Sequence, residues 1–180
     1  MNDAGVRPFS IRALLEDRAR YLVPMYQRNY AWGEGEITQL LQDVLDYQQK
    51  LVSGKGPQTY YIGTLVVFAR DDGSFEVIDG QQRFTTLSLL ANWLKHHAID
   101  SVDMSWYQTI NLAFESRPIS SHTFERLWQG VAPYDLRGST FNEGLVNGFE
   151  LIDKAMADLG LVGAKLTAFC DYLFKHVQIS

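Results

Sequence analysis

Asp79-Gly80-Gln81-Gln82-Arg83 puts a carboxylate, a glycine, two amides and a guanidinium on five consecutive positions. The segment follows Phe75–Ile78, which reads as a strand. It precedes a helical pattern from Phe84 to about Lys95, with Phe84, Leu87, Leu90, Ala91 and Leu94 on one side. A strand–turn–helix junction collects backbone N–H groups that lack partners. Those groups and the helix dipole favour an anion, most often a phosphate. Gly80 permits close backbone approach or an unusual φ angle. Arg83 can offer a bidentate fork to phosphate oxygens. Gln81 and Gln82 donate and accept, so they can orient a water, a ribose or a base edge. Thr85 and Thr86 can add hydroxyl contacts from the first helical turn. Asp79 can hold a divalent cation such as Mg²⁺ against phosphates, or act as a base toward water. The structural alternative is that Asp79 caps the helix, Gly80 makes the turn and Arg83 pairs with a carboxylate. Two adjacent glutamines at the mouth of a buried helix tilt the balance toward function, since helix-forming or apolar residues would serve structure better.

A second candidate is Pro24-Met25-Tyr26-Gln27-Arg28-Asn29-Tyr30-Ala31-Trp32. Aromatics interleaved with amide and guanidinium groups can stack on a base and bond its edge. Tyr26 and Tyr30 are the expected base or DNA contacts, with Gln27 and Arg28 as polar partners. Trp32 is expected to cover the core. Arg117, in Glu115-Ser116-Arg117, either reaches a site or forms a surface salt bridge. His96 and His97 suit a helix C-terminus. Cys170 lies on an apolar stripe and reads as core. Walker A, GxGxxG, Ser-His-Asp and zinc-ligand patterns are absent from the sequence.

These residues need elements to hold them. Ser10 is a plausible N-cap for a short helix carrying Ile11, Leu14 and Leu15, and Tyr21–Pro24 reads as extended. Ile37, Leu40, Leu41, Val44 and Leu45 mark an amphipathic helix running to about Leu51. Ser53–Pro57 is a loop, Tyr60–Ala69 a buried strand, and Asp71-Asp72-Gly73 the turn of a hairpin leading to Phe75–Ile78. Ile110, Leu112 and Phe114 alternate as a further strand or an extended link. Ser121–Gln129 is a short helix, Pro133–Thr140 a loop, and two helices follow around Leu145–Leu159 and Leu166–Val177. The final residues look like the start of another strand. The fold class is therefore α+β: an α/β core over 1–98 and a mostly helical extension over 99–180, continued in the natural protein or completed by a partner.

The chain has 180 residues, 46% hydrophobic and 21% charged, which suits a globular domain rather than a disordered one. Its single cysteine rules out an internal disulfide and suits the cytoplasm. The N-terminal residues lack a signal-peptide pattern, and the longest apolar stretch is too short to cross a bilayer. A soluble, cytoplasmic chain is the expectation. The net charge of −5 argues against strong unassisted DNA binding, which draws on Lys and Arg.

Pro24-Met25-Tyr26-Gln27-Arg28-Asn29-Tyr30-Ala31-Trp32, Tyr61-Ile62-Gly63-Thr64-Leu65-Val66-Val67 and Val77-Ile78-Asp79-Gly80-Gln81-Gln82-Arg83-Phe84-Thr85-Thr86-Leu87, in that order, resemble the N-terminal domain of GmrSD-type restriction endonucleases. The likeness is strongest over about residues 8–95; Phe114-Glu115-Ser116-Arg117 and the later helices share it less specifically. It implies a ParB/sulfiredoxin-like α/β core with a small mixed sheet, in which Gly80 and Arg83 contact nucleotide phosphates and Arg28 is a second basic position. It implies an NTP-dependent sensor of anti-phage defence, GTP first among the nucleotides, acting on modified DNA. An HNH-type nuclease is implied in a C-terminal region or partner. This chain lacks an HNH-like His-rich region, and the asparagine–arginine–glycine segment common in the family is missing, so cleavage is not expected of these residues. The expected function is nucleotide binding and NTP hydrolysis, with Asp79, Gln81 and Gln82 catalytic. Gly80, Arg83, Thr85, Thr86, Arg28 and Gln27 would hold the nucleotide. The alternatives are a non-catalytic module reading modified DNA and a purely structural domain. Self-association into a homo-oligomer is left open.

Overall fold

The computed structural model describes residues 8–54, 59–136 and 141–180. Ser10 caps the first helix as expected: its Oγ accepts from the Ala13 N–H at 3.1 Å, and α1 runs Ile11–Glu16 after a two-residue strand β1, Phe9–Ser10. β2 is Tyr21–Val23 and α2 is Glu34–Val52, whose Ile37, Leu40, Leu41, Val44 and Leu45 are buried. The stretch expected as a single buried strand is instead two. β3, Tyr60–Gly63, and β4, Val66–Ala69, belong to different sheets, and every β4 residue is exposed. The break falls at Gly63, whose φ of +138° is open to glycine and strained for other residues. β5, Phe75–Asp79, pairs antiparallel with β4 through the Asp71-Asp72-Gly73 turn, which Asp72 fixes by accepting from the Ser74 N–H and hydroxyl. The loop expected at Ser53–Pro57 and the end of that at Pro133–Thr140 lie partly outside the described residues.

α3, Gln81–His97, carries the chain from β5 over β2 to β6, Leu112–Phe114. β2 pairs in parallel with both β5 and β6, and parallel neighbours require a crossover of this kind. The first sheet therefore has the order β4-β5-β2-β6, and β2, β5 and β6 end on the same edge. Tyr21 stacks on Phe75 at 5.3 Å and tilts against Phe84 at 5.2 Å, which fastens β2, β5 and α3 together.

α4 is Pro118–Trp128, α5 Glu143–Asp158 and α6 Gly163–Lys175, with a 3-10 turn at Pro133–Asp135. The strand expected at the end is β7, Val177–Ile179. It pairs antiparallel with β1 and parallel with β3, so the second sheet reads β1-β7-β3. The architecture is α+β. The change of element type near residue 98 does not divide the core. β6 and β7 come from beyond it yet complete sheets begun before it, and buried residues from Ile11 to Ile179 form one apolar cluster. α5 packs on α2 and α3, and the Trp93 indole donates to Asp153 at 2.9 Å. Trp32 and Cys170 lie in or against this core. Among the described residues, no helix is long and apolar enough to cross a membrane.

Candidate functional site

The carboxyl ends of parallel strands are where open α/β sheets form binding crevices, because the chain leaves the sheet there and loops diverge. Three strand ends meet on that edge here. β5 delivers Asp79 and Gly80, β2 delivers Pro24 to Gln27, and β6 delivers Glu115 to Arg117. The second sheet brings its own carboxyl ends alongside. Ser180, after β7, donates to the Gly63 carbonyl at 3.2 Å and accepts from the Leu65 N–H at 2.7 Å.

Gly80 is the N-cap of α3 in a left-handed conformation, φ +93°. A Cβ there would lie 2.8 Å from the Thr64 carbonyl oxygen and 3.3 Å from the Leu65 Cα. The close approach that glycine allows is thus to the chain's own backbone, and the fold accounts for the residue. Gly80 has no side chain to cap the helix, and the first intrahelical bond runs from the Phe84 N–H to the Gly80 carbonyl at 3.0 Å. The helix begins at Gln81, so Gln81, Gln82 and Arg83 are its first turn and not a loop.

Arg83 lies against Gly63. A Cβ on Gly63 would sit 2.5 Å from the Arg83 Nη1 and 2.7 Å from its Cζ, so the glycine makes the space the guanidinium occupies. Arg83 is only partly buried and forms no ion pair or side-chain hydrogen bond with a described residue. The ion pair that would have made it structural is absent among those residues. Arg28 is exposed and likewise without a carboxylate partner among them. Asp79 is exposed at the end of β5, opposite Val66. No group of three or more His, Cys, Asp or Glu among the described residues could hold a metal ion. A divalent cation at Asp79 would need most of its ligands from phosphate and water.

The two glutamines differ. Gln81 is half-buried, and its Nε2 donates to the Gln27 Oε1 at 3.1 Å; the Gln27 Nε2 in turn donates to the Ile78 carbonyl at 2.8 Å. Gln82 is 7% exposed. Its Oε1 accepts from the Ala31 N–H at 2.8 Å and its Nε2 donates to the Asn29 carbonyl at 3.1 Å. Both ends of that amide are occupied by backbone, so Gln82 is a clamp on residues 29–31, not a catalytic group. The adjacent amides, read from sequence as a sign of ligand chemistry, each have a structural partner.

Three more expectations are corrected. Thr85 and Thr86 are buried and donate back to the Gln81 and Gln82 carbonyls at 2.7 and 2.8 Å, one helical turn earlier, so they do not face the edge. Tyr30 is 5% exposed, and its hydroxyl lies 2.7 Å from the Thr86 Oγ1. Burial raises its phenol pKa. It cannot stack on a base. α5 receives it at two glycines one turn apart: a Cβ on Gly148 would meet the Tyr30 ring at 2.5 Å, and one on Gly144 would collide with the Tyr30 carbonyl. Tyr26, by contrast, is 69% exposed, its hydroxyl donating to Glu76 at 3.3 Å.

Sequence reasoning missed Gly63 and Thr64 as the wall facing Gly80 and Arg83. The isolated glycine inside an apolar strand pattern was the signal, since such a glycine marks a bulge or a close approach. It also missed the two glycines of α5; of the two readings of Arg117, the salt bridge is not found among the described residues, and the guanidinium reaches backbone carbonyls of the 25–27 segment.

No curated protein sequence matches the chain. The sequence model of the GmrSD restriction endonuclease N-terminal domain matches residues 11–177, a span that takes in the carboxyl ends of β2, β5 and β6, with the end of β7 and Ser180 just past its limit. The chain belongs to the GmrSD restriction endonuclease N-terminal domain family.

Proposed function

We propose that the chain is the nucleotide-binding, NTP-hydrolysing regulatory part of a restriction protein directed at modified DNA, with GTP its first substrate and Mg²⁺ its cation. The observation that carries this reading is Arg83: a guanidinium seated on Gly63 at the uncapped start of a 17-residue helix, with no carboxylate partner among the described residues. In a chain of net charge −5, an arginine without a described carboxylate partner, beside the first N–H groups of a helix, has an anion as its natural partner. Arg83 and the first-turn N–H groups would take the phosphates, and Arg28 would add charge from the β2 side. Asp79 is the one carboxylate of the DGQQR segment and is solvent-accessible. It would complete the coordination of a phosphate-bound Mg²⁺ or orient the attacking water, with Gln81 beside it. Charge on the transferring phosphoryl group would be stabilised electrostatically, without a covalent intermediate. The strand–turn–helix junction supports a ParB/sulfiredoxin-like core. DNA cleavage is left to an HNH-type nuclease in the remainder of the protein or in a partner.

Calorimetric titration with GTP and ATP in Mg²⁺ tests the reading, using wild type and Arg83→Ala with matched thermal unfolding curves. Saturable binding by the wild type and its loss in the variant are expected. A folded wild type that binds neither nucleotide overturns the proposal.

The exposure of Tyr26 favours a second reading, a module that reads modified DNA without hydrolysis. It predicts preference for modified over plain duplex, a steep salt dependence and indifference to nucleotide. Tyr26→Ala would then abolish the preference.

A further inference from the structure

The nucleotide reading does not use Arg117, yet its contacts are specific. The turn between β6 and α4 carries Glu115-Ser116-Arg117, and Ser116 is the one described non-glycine residue with a positive φ, +55°. A serine in that region is strained, and the strain persists only where neighbouring contacts hold it. The side-chain bonds of Arg117 run to residues 25–27, and those of Glu115 reach the same segment through Arg70 and Glu76. The Arg117 Nη2 donates to the Met25 carbonyl at 3.0 Å and also to the Gln27 carbonyl. Glu115 accepts from Arg70 at 2.6 Å, Arg70 lies 3.5 Å from Glu76, and Glu76 accepts from the Tyr26 hydroxyl. Met25, Tyr26 and Gln27 are thereby tied to a single turn, Arg117 directly and Glu115 through two intermediaries.

The tie continues into the site. With its backbone held by Arg117, Gln27 sends its amide to the Ile78 carbonyl and receives the Gln81 Nε2. Ile78 precedes Asp79, and Gln81 opens α3. We infer that Arg117 is a positioning residue: its guanidinium fixes the Met25–Gln27 backbone, and through Gln27 it sets the orientation of Gln81 beside Asp79. The two acceptors are neutral carbonyls, and no described carboxylate pairs with Arg117. Among the described residues its charge is therefore uncompensated next to the same edge. This inference rests on the nucleotide reading for its ligand and on the hydrogen bonds alone for the clamp.

The test uses the whole chain as wild type, Arg117→Ala, Arg117→Lys and Gln27→Met, well below every unfolding midpoint. Amide hydrogen exchange is followed in the peptide covering 24–31, and GTP affinity is measured in Mg²⁺. Arg117→Ala is expected to speed exchange at 25–28 while the interior of α3 stays protected, and to weaken GTP binding by about tenfold, the scale of one lost charge-assisted hydrogen-bond pair. Arg117→Lys should restore most of both, since an ammonium also has donors for two carbonyls. A generic folding role would not produce that rescue at matched folded fraction. Gln27→Met should weaken binding while exchange at 25–28 stays slow, because the clamp survives and the relay does not. Unchanged exchange in Arg117→Ala, or a loosened segment with unchanged affinity, overturns the inference. If the variant does not fold, the Lys and Met comparisons decide it by the same criteria. A wild type that binds no GTP removes the nucleotide reading and with it the positioning role, while the exchange result still decides whether the clamp exists.

Discussion

Replacing Gln82 distinguishes a clamp on the 29–31 backbone from a ligand contact. Truncation to alanine removes an acceptor for the Ala31 N–H and a donor for the Asn29 carbonyl. Each neutral hydrogen bond contributes about 0.5–1.5 kcal/mol net. Ala31 and Asn29 lie on an exposed stretch, so water can reach the freed groups and the larger penalty for buried unpaired atoms does not apply in full. The sum is a loss of about 1–3 kcal/mol for Gln82→Ala. Gln82→Glu sharpens the test. A protonated carboxyl group keeps one donor and one acceptor, whereas a carboxylate would face the Asn29 carbonyl with no proton to offer. The introduced group is then expected to titrate above its unfolded value of about 4.3. Its destabilisation should grow as pH rises through that window and nearly vanish below it. Urea unfolding of the three proteins at pH 4 and pH 7 measures this. A Gln82→Ala cost under about 0.5 kcal/mol, or a Gln82→Glu protein as stable as wild type at pH 7, would refute the clamp and return Gln82 to the set of ligand contacts.

Two further outcomes follow from the same geometry. Gly63→Ala places a Cβ within 2.5 Å of the Arg83 Nη1 at a φ of +138°, so it should displace the guanidinium. It should lower stability by more than about 1 kcal/mol and abolish nucleotide binding, read by urea unfolding and calorimetry; unchanged binding would show that Arg83 does not act from its seat on Gly63. Burial pushes the Cys170 thiol up to about 12, so in the folded protein it stays protonated at pH 8. A thiol reagent at that pH should label it only in denaturant, and rapid labelling of the native chain would contradict its place in the core.

Most of the elements were legible because their signals are local. The Ser10 cap, the α2 stripe and the Asp71-Asp72-Gly73 turn each depend on neighbours in sequence, and the structure has all three. The apolar run 60–69 misled because composition reports burial only on average. Its last four residues, β4, sit at a sheet edge with Phe68 60% exposed. The site was half-legible for a related reason. That Asp79 and Arg83 flank an accessible strand–helix junction could be read from a strand followed by a helix. Which amides are free could not, because the partners of Gln81 and Gln82 lie more than fifty positions away, at Gln27 and at residues 29–31.

Those distant partners bear on how the chain is divided. A nucleotide head ending near residue 98 would contain Asp79, Gly80, Gln81 and Arg83, and it would look sufficient. It would lack Arg117, which holds Gln27 in place, and Ser180, whose backbone bonds fix Gly63 and Leu65 around the Arg83 seat. It would also lack α5, whose glycines receive Tyr30 and thereby complete the packing of the segment that Gln82 clamps. Each of the three supports comes from the helical half and acts on backbone of the first half. The helical region is in this sense the scaffold of the edge and not an appendage to it. The family model's match to residues 11–177 takes in two of these supports, Arg117 and α5.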